Sequence, residues 1–271
     1  MEQLHRLEQE IAQYAAGGIC VAFSGGVDSA LLLALANRVT GGKAHAVTVY
    51  TPFHSPREPE AAEHIARELG GAHRLITLEK LPDPLHTNPV NRCYLCKRWI
   101  FETITDYAKS HGLATIIDGT NADDLQEYRP GLKALAELGI ISPLARLEIN
   151  KATVREIAAQ LGVSVAKKPS APCLATRFPY DTPIDFTRLH KLDEMEEAIR
   201  ERGIATVRVR THGDIARIEV PSDSFPQLLQ HREQWIALAT EAGFTYVTLD
   251  MEGFSSGSMD KAIRKIQSQF S

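Results

Sequence analysis

Short apolar segments alternate with longer amphipathic ones through the first two-thirds of this chain, and that rhythm restricts the fold most. Residues 19–23 (ICVAF) read as a buried strand, and residues 28–37 (DSALLLALAN) have the spacing and length of a helix. Residues 44–50 (AHAVTVY) form the next expected strand, followed by a charged amphipathic helix around 58–69. Residues 73–79 (HRLITLE) are strand-like, a helix is expected after Cys96 to about Ser110, and residues 114–120 (ATIIDGT) are strand then turn. A short strand near 140–144 and a helix over 151–161 (KATVREIAAQL) complete the series. Such alternation predicts an α/β fold with a parallel sheet covered by helices on both faces.

Residues 163–184 break the rhythm. Pro169, Pro172, Pro179 and Pro183 exclude a helix there and disfavour a central strand. A linker is the ordinary explanation, yet the segment also holds Lys167, Lys168, Cys173 and Arg177, which a passive linker does not require. After it the pattern runs helix 185–202, strand TVRVR, turn THGD, strand IARIEV, helix 225–242 and strand TYVTLD. The expected layout is a large domain over 1–165, a cysteine-bearing loop over 166–184 and a small α+β domain over 185–271. A length of 271 residues suits one large and one small domain.

Composition narrows the classes. With 44% hydrophobic, 24% charged and 7% aromatic residues, the chain is an ordinary globular one. No apolar run approaches the ~20 residues of a membrane span. The opening MEQLHRLEQEIAQY is charged and lacks a secretory core, so a cytoplasmic location is expected. Thirty basic against thirty-four acidic residues, a net charge of −4, argue against a general nucleic-acid binder. Four cysteines without an export signal are expected as free thiols, metal-binding or reactive.

The strongest short motif is Ser24-Gly25-Gly26-Val27-Asp28-Ser29, set between the first strand and its helix. It is neither GxxxxGK[ST] nor GxGxxG, although its physics is related. Two glycines let the backbone approach a ligand, and the helix start offers free N–H groups and a positive dipole end. Ser24 and Ser29 can donate hydroxyls to phosphate oxygens, and Asp28 can hold a bridging Mg²⁺. A tight turn with Asp or Ser as helix cap is the plain structural alternative. Asp123 and Asp124 of DGTNADD (118–124) are each either a helix-terminal charge or a contact for Mg²⁺ or substrate, with Asp124 the candidate second Mg²⁺ ligand.

Cys93 and Cys96 form a CxxC within NRCYLCK, and Cys173 stands alone in the proline-rich segment. Zinc commonly takes four ligands, and only one such pair exists. A thioredoxin-type motif belongs at a helix start after a first strand, which this pair does not match. Three thiolates can hold three irons of a [4Fe–4S] cluster; otherwise the cysteines are unrelated small hydrophobes, a description that suits Cys20. Lys167, Lys168 and Arg177 around Cys173 favour its thiolate. Tyr94 and Trp99 have packing under a helix as their commoner role. The ten histidines show no metal spacing and are expected at the surface.

SGGVDS after an apolar strand resembles the PP-loop ATP pyrophosphatases, which implies an adenine nucleotide α-hydrolase-like fold, ATP binding at the loop and pyrophosphate release. SGGVDS, NRCYLCK, GTNADD followed by YRPG, PSAPCLATRFPY, VRVRTHGDIARIEV and EGFSSGSMD together resemble the LarE family, along nearly the whole chain. That family is the ATP-dependent sulfur-transfer branch of the PP-loop proteins. The resemblance implies adenylation of the carboxylates of pyridinium-3,5-biscarboxylic acid mononucleotide and their conversion to thiocarboxylates for a nickel-pincer cofactor, that of lactate racemase. Cys173 matches the sulfur-bearing cysteine. One version of the family sacrifices that cysteine, leaving dehydroalanine. The other, which Cys93 and Cys96 make this chain resemble, holds a [4Fe–4S] cluster on three cysteines.

Within the resemblance, Arg208 and Arg210 match arginines expected to grip the substrate phosphate. They lie at period two on one strand face, and a solvated edge-strand face is the alternative. Arg177 is a further anion-binding candidate, or the partner of Asp181 or Asp185. A homo-oligomer and handover to a nickel-inserting protein are also implied, with no nucleic-acid or membrane partner. The competing readings are a PP-loop tRNA thiolase, which calls for a basic RNA-binding surface, and an NAD-synthetase-like amidotransferase, which leaves PSAPCLATR without a role. A nucleotide-sensing module without catalysis is the last.

Overall fold

The structure, a computed structural model, describes residues 2–126, 130–167, 173–255 and 258. Tyr128, Arg129, Lys168, Pro169, Pro172 and residues 256, 257, 259 and 260, all parts of the sequence motifs, lie outside the described residues. The chain divides into two compact units, Met1–Leu81 with Asn91–Ala171, and Pro82–Val90 with Pro172–Ser271.

The first unit runs α1 (Glu2–Ala12), β1 (Ile19–Ala22), α2 (Val27–Thr40), β2 (His45–Tyr50), α3 (Glu58–Glu68), β3 (Ala72–Thr77), α4 (Arg92–Ser110), β4 (Thr115–Ile117), α5 (Gly131–Glu137), α6 (Pro143–Arg146) and α7 (Lys151–Gln160). Its strands form one parallel sheet in the order β3-β2-β1-β4. Alternate strand residues enter opposite layers. Ile19, Val21 and Ala46 join a core with Leu31, Leu35, Ile65, Val154 and Ile157, whereas Cys20, Val47 and Val49 join Phe101, Ile104 and Leu135. Both faces are therefore covered, the doubly wound α/β arrangement that the alternation predicts. The chain winds from β1 outward through β2 to β3, then returns to place β4 on the other side of β1. That reversal makes the β1–β4 boundary a topological switch point, and ligands of such sheets bind beyond the carboxyl ends of the strands there.

Three local expectations need correction. The strand near 140–144 reduces to one parallel bridge, Ile117 to Ile141, because Pro143 lacks an N–H and starts α6. The helix expected after Cys96 starts at Arg92, so both cysteines of the CxxC lie in its first turns. Nor are all histidines superficial: His45 and His73 are half-buried, and burial lowers the pKa of each. His73 Nε2 lies 2.8 Å from Thr48 Oγ1.

The second unit runs α8 (Phe186–Glu201), β5 (Arg208–His212), β6 (Ile215–Glu219), α9 (Phe225–Gln230), α10 (Arg232–Glu241) and β7 (Tyr246–Leu249). Its sheet has the order β5-β6-β7, with β5–β6 antiparallel and β6–β7 parallel. Asp185 caps α8 by accepting from Arg188 N, and Leu189, Leu192, Met195 and Ile199 bury one face at helical spacing. The single helix expected over 225–242 is broken at His231, and the Trp235 indole donates 2.8 Å to the Leu228 carbonyl. The turn expected over THGD is tighter, since Thr211 and His212 still pair within β5.

Candidate active-site residues

SGGVDS turns from β1 into α2 as expected, but the cap differs from the plain alternative. Gly26 occupies the N-cap position and no side chain caps the helix. Its first N–H groups therefore have no side-chain acceptor, the condition for an anion site. Gly25 is left-handed (φ 69°), and a Cβ there would come 3.0 Å from Ala62 Cα in α3. Only glycine fits that turn. Ser29 is buried and stitches the loop, donating to Gly26 O at 3.1 Å and accepting from Ser24 N at 3.2 Å. Ser24 is exposed, its hydroxyl 3.2 Å from that of Ser29, and it accepts from Gly26 N. Val27 is buried in the core beneath.

The chain after β4 meets this loop. A Cβ on Gly119 would stand 3.0 Å from Asp28 Cβ and 3.1 Å from Ser29 N, so glycine is needed for the close approach. Asn121 donates to Asp28 Oδ1 at 3.3 Å, and its own N–H bonds Asp124 Oδ2 at 3.0 Å. Asp28 and Asp124 are thus both in contact with Asn121. Asp123 accepts from Lys151 N at 2.9 Å, a helix-terminal charge at the start of α7. The Lys151 ammonium pairs with Asp28 Oδ2. A lysine in the first turn of a helix opposes the dipole, and that misplacement is the one signal by which sequence could have found Lys151. Nearby, buried Asp118 accepts from Thr120 (2.6 Å) and Ser142 (2.5 Å), with Lys97 Nζ at 3.7 Å.

Cys93 is exposed and Cys96 partly so, one turn apart on α4. Tyr94 donates to Glu137 at 2.7 Å and lies under Lys133, so its ring belongs to the α4–α5 contact. Trp99 is half-buried on the same helix. Burial pushes the Cys20 thiol up to about 12, in keeping with a core residue. Among the described residues no three His, Cys, Asp or Glu side chains converge as a metal site.

In the second unit, Cys173 is half-buried and directly precedes a 3-10 turn, Leu174–Arg177. Arg177 is buried, and its partner is neither Asp181 nor Asp185 but Glu196 of α8. Nε donates to Oε1 at 2.8 Å and Nη2 to Oε2 at 2.6 Å. Glu196 also accepts from Arg200 (2.9 Å) and Val209 N (2.9 Å). Arg210 is not on a solvated face: it is buried, donates to Glu219 at 2.7 Å and reaches Thr176 O at 2.7 Å. Glu219 further accepts from Arg217 and Ser258.

Arg208 is different. It donates to Val207 O and lies over the Phe254 ring at 5.5 Å, with no carboxylate partner among the described residues. Burial pulls its pKa down to about 10, and Arg177, Arg200 and Arg210 add repulsion that Glu196 partly offsets. A half-buried guanidinium short of negative charge is chemically suited to receive an anion. The buried carboxylates that hold its neighbours, Glu196 and Glu219, have no sequence signature.

A parallel sheet with a glycine-rich turn after its central strand, at the topological switch point, defines an adenine nucleotide α-hydrolase-like domain of the PP-loop class. Comparison agrees: the asparagine synthase family pattern matches residues 11–87. The chain is 40% identical to an uncharacterised protein, slr1717, of Synechocystis over 90% of this chain and 92% of that one. It is 36% identical to the pyridinium-3,5-bisthiocarboxylic acid mononucleotide synthase of Lactiplantibacillus plantarum over 92% and 91%. A glutamine-hydrolyzing GMP synthase component of Thermococcus kodakarensis is 31% identical over only 54% of this chain and 52% of its own. The chain belongs to the LarE family, the ATP-dependent sulfur transferases of the PP-loop class.

Proposed function

We propose that this enzyme adenylates the carboxylates of pyridinium-3,5-biscarboxylic acid mononucleotide at the SGGVDS loop, releases pyrophosphate, and converts them to thiocarboxylates with sulfur delivered through Cys173. The observation that carries the reading is the Cys173 segment, fixed against a cluster of arginines in which Arg208 alone, among the described residues, has no carboxylate partner. ATP phosphates meet the uncapped N-terminus of α2, with Ser24 and the glycines around them. Asp28 and Asp124, both tied to Asn121, are the oxygen donors suited to Mg²⁺, which would neutralise phosphate charge. A carboxylate has no leaving group until adenylation supplies AMP. Cys173 Sγ then bonds to the acyl carbon as the acyl–oxygen bond to AMP breaks; cleavage of Cβ–Sγ with loss of the α-proton frees the thiocarboxylate and leaves dehydroalanine.

Cys93, Cys96 and Cys173 are chemically suited to hold a [4Fe–4S] cluster, which would supply a replaceable sulfide in place of the cysteine's own. Arg208, with Arg210 and Arg177 behind it, would grip the substrate phosphate. Cytoplasmic location, assembly into a homo-oligomer and handover to a nickel-inserting protein belong to the same reading. The test is to incubate the protein with ATP, Mg²⁺ and the biscarboxylic mononucleotide. AMP, pyrophosphate and a product carrying sulfur in place of oxygen are expected by mass spectrometry. AMP formation that depends on ammonia, with an amide product, would contradict the reading.

A further inference from the structure

Between β3 and α4 the chain leaves the first unit. Pro82–Val90 belongs with the second, while the residues on both sides belong to the first. This excursion is a 3-10 turn, Asp83–Thr87, ending at Asn88. Asn88 is fully buried and left-handed (φ 52°, ψ 51°), a conformation that costs a non-glycine residue ~1 kcal/mol or more and persists only where the surroundings impose it.

The carboxamide shows what imposes it. Nδ2 points at three carbonyls of the cysteine-bearing segment: Pro179 O at 2.7 Å, Phe178 O at 2.9 Å and Ala175 O at 3.5 Å. The Asn88 carbonyl in turn accepts from Asp181 N at 3.0 Å. From Cys173 to Ile184 the segment has one 3-10 turn and no strand, so its backbone acceptors must find donors elsewhere. Arg177 Nη1 supplies one to Cys173 O (3.2 Å) and Arg210 Nη1 one to Thr176 O (2.7 Å). Asn88 adds its own from a distant part of the sequence. Ile184 N also donates to His86 O at 2.9 Å, so the excursion supports the segment again at its carboxyl end.

We propose that Asn88 is a positioning residue for sulfur transfer, its carboxamide fixing the backbone that carries Cys173 while taking no part in adenylation. The proposal rests on Cys173 as the sulfur-bearing residue. A thiol that must meet an acyl adenylate before water does gains from a backbone that cannot drift, since small displacements of a reacting group cost large factors in rate.

The test uses the full chain with Asn88→Gly, which keeps a backbone at ease with positive φ but removes the donor. Asn88→Ser, whose hydroxyl cannot span three carbonyls, is the second variant should the first not fold. Pyrophosphate release is expected within about twofold of wild type and thiocarboxylate formation at least tenfold slower. Alkylation of Cys173 by iodoacetamide, followed by mass spectrometry without substrate, is expected several-fold faster. Amide exchange protection should be lost at Thr176, Phe178 and Asp181 and kept in β5 and β6. An unchanged ratio of thiocarboxylate to pyrophosphate, or unchanged alkylation, would overturn the proposal. So would loss of protection throughout β5–β7, which would make Asn88 an ordinary part of the core. Cys173→Ser separates the two ideas: continued thiocarboxylate formation there defeats the donor assignment, whereas Cys173 alkylation judges Asn88 alone.

Discussion

Lys151 and Arg208 are two cations with opposite surroundings, and each makes a different prediction. Lys151 faces the Asp28 carboxylate beside the uncapped start of α2. Lys151→Met leaves a partly buried carboxylate with the Asn121 amide as its remaining side-chain partner among the described residues, and removes positive charge from the proposed phosphate site. ATP affinity by calorimetry should fall about tenfold, ~1.4 kcal/mol, with Lys151→Arg retaining most of it. Arg208 has lost proton affinity to burial, yet with a pKa of about 10 it remains charged at neutral pH. A lysine there starts from a lower intrinsic pKa, so the same burial brings its titration close to the working range. Deprotonation as pH rises removes the charge that an anion needs. Arg208→Lys should therefore bind substrate progressively more weakly from about pH 7 to 9, where wild type stays flat; parallel profiles would mean that Arg208 does not contact the anion.

At the scale of elements, β1 to β4 were legible because buried parallel strands are short apolar runs bounded by turn residues. The loop was legible because two adjacent glycines between strand and helix have few other uses. The start of α4 was not, since Asn91 offers no side-chain cap and Arg92-Cys93-Tyr94 shows no apolar period. The consequence is chemical. Cys93 and Cys96 sit one turn apart at the start of α4, so the backbone sets both thiols on neighbouring turns. Protein purified and reconstituted without oxygen should carry about four irons and four acid-labile sulfides per chain, lost in Cys93→Ala or Cys96→Ala. Iron retained in both variants would remove the pair from the cluster. Glu196 and Glu219 were invisible for a different reason: nothing local marks a carboxylate that will be buried against arginines. Gly119 is a quieter case, read as turn chemistry but required by packing. Gly119→Ala should abolish pyrophosphate release by pressing a methyl group on Asp28 and Ser29, while circular dichroism stays native; an active variant would show that the loop tolerates the displacement.

On the scale of the molecule, the residues to which the proposed chemistry is assigned are divided between two compact units. The nucleotide loop, Asp28, Lys151 and the CxxC belong to the first, and Cys173 with its arginines to the second. The likeness to the GMP synthase covers about half of this chain, while that to the thiocarboxylate synthase runs across nearly all of it. A likeness to one relative that covers half of the chain and to another that covers nearly all of it is the pattern expected where one part of a fold serves different chemistries. Activation and sulfur transfer should therefore be separable by mutation. The most direct measurement is pyrophosphate and thiocarboxylate together, in one reaction, for Cys173→Ser. The account predicts pyrophosphate release near the wild-type rate with no thiocarboxylate formed. Loss of both products would contradict it, because Cys173 would then serve activation rather than carry the sulfur.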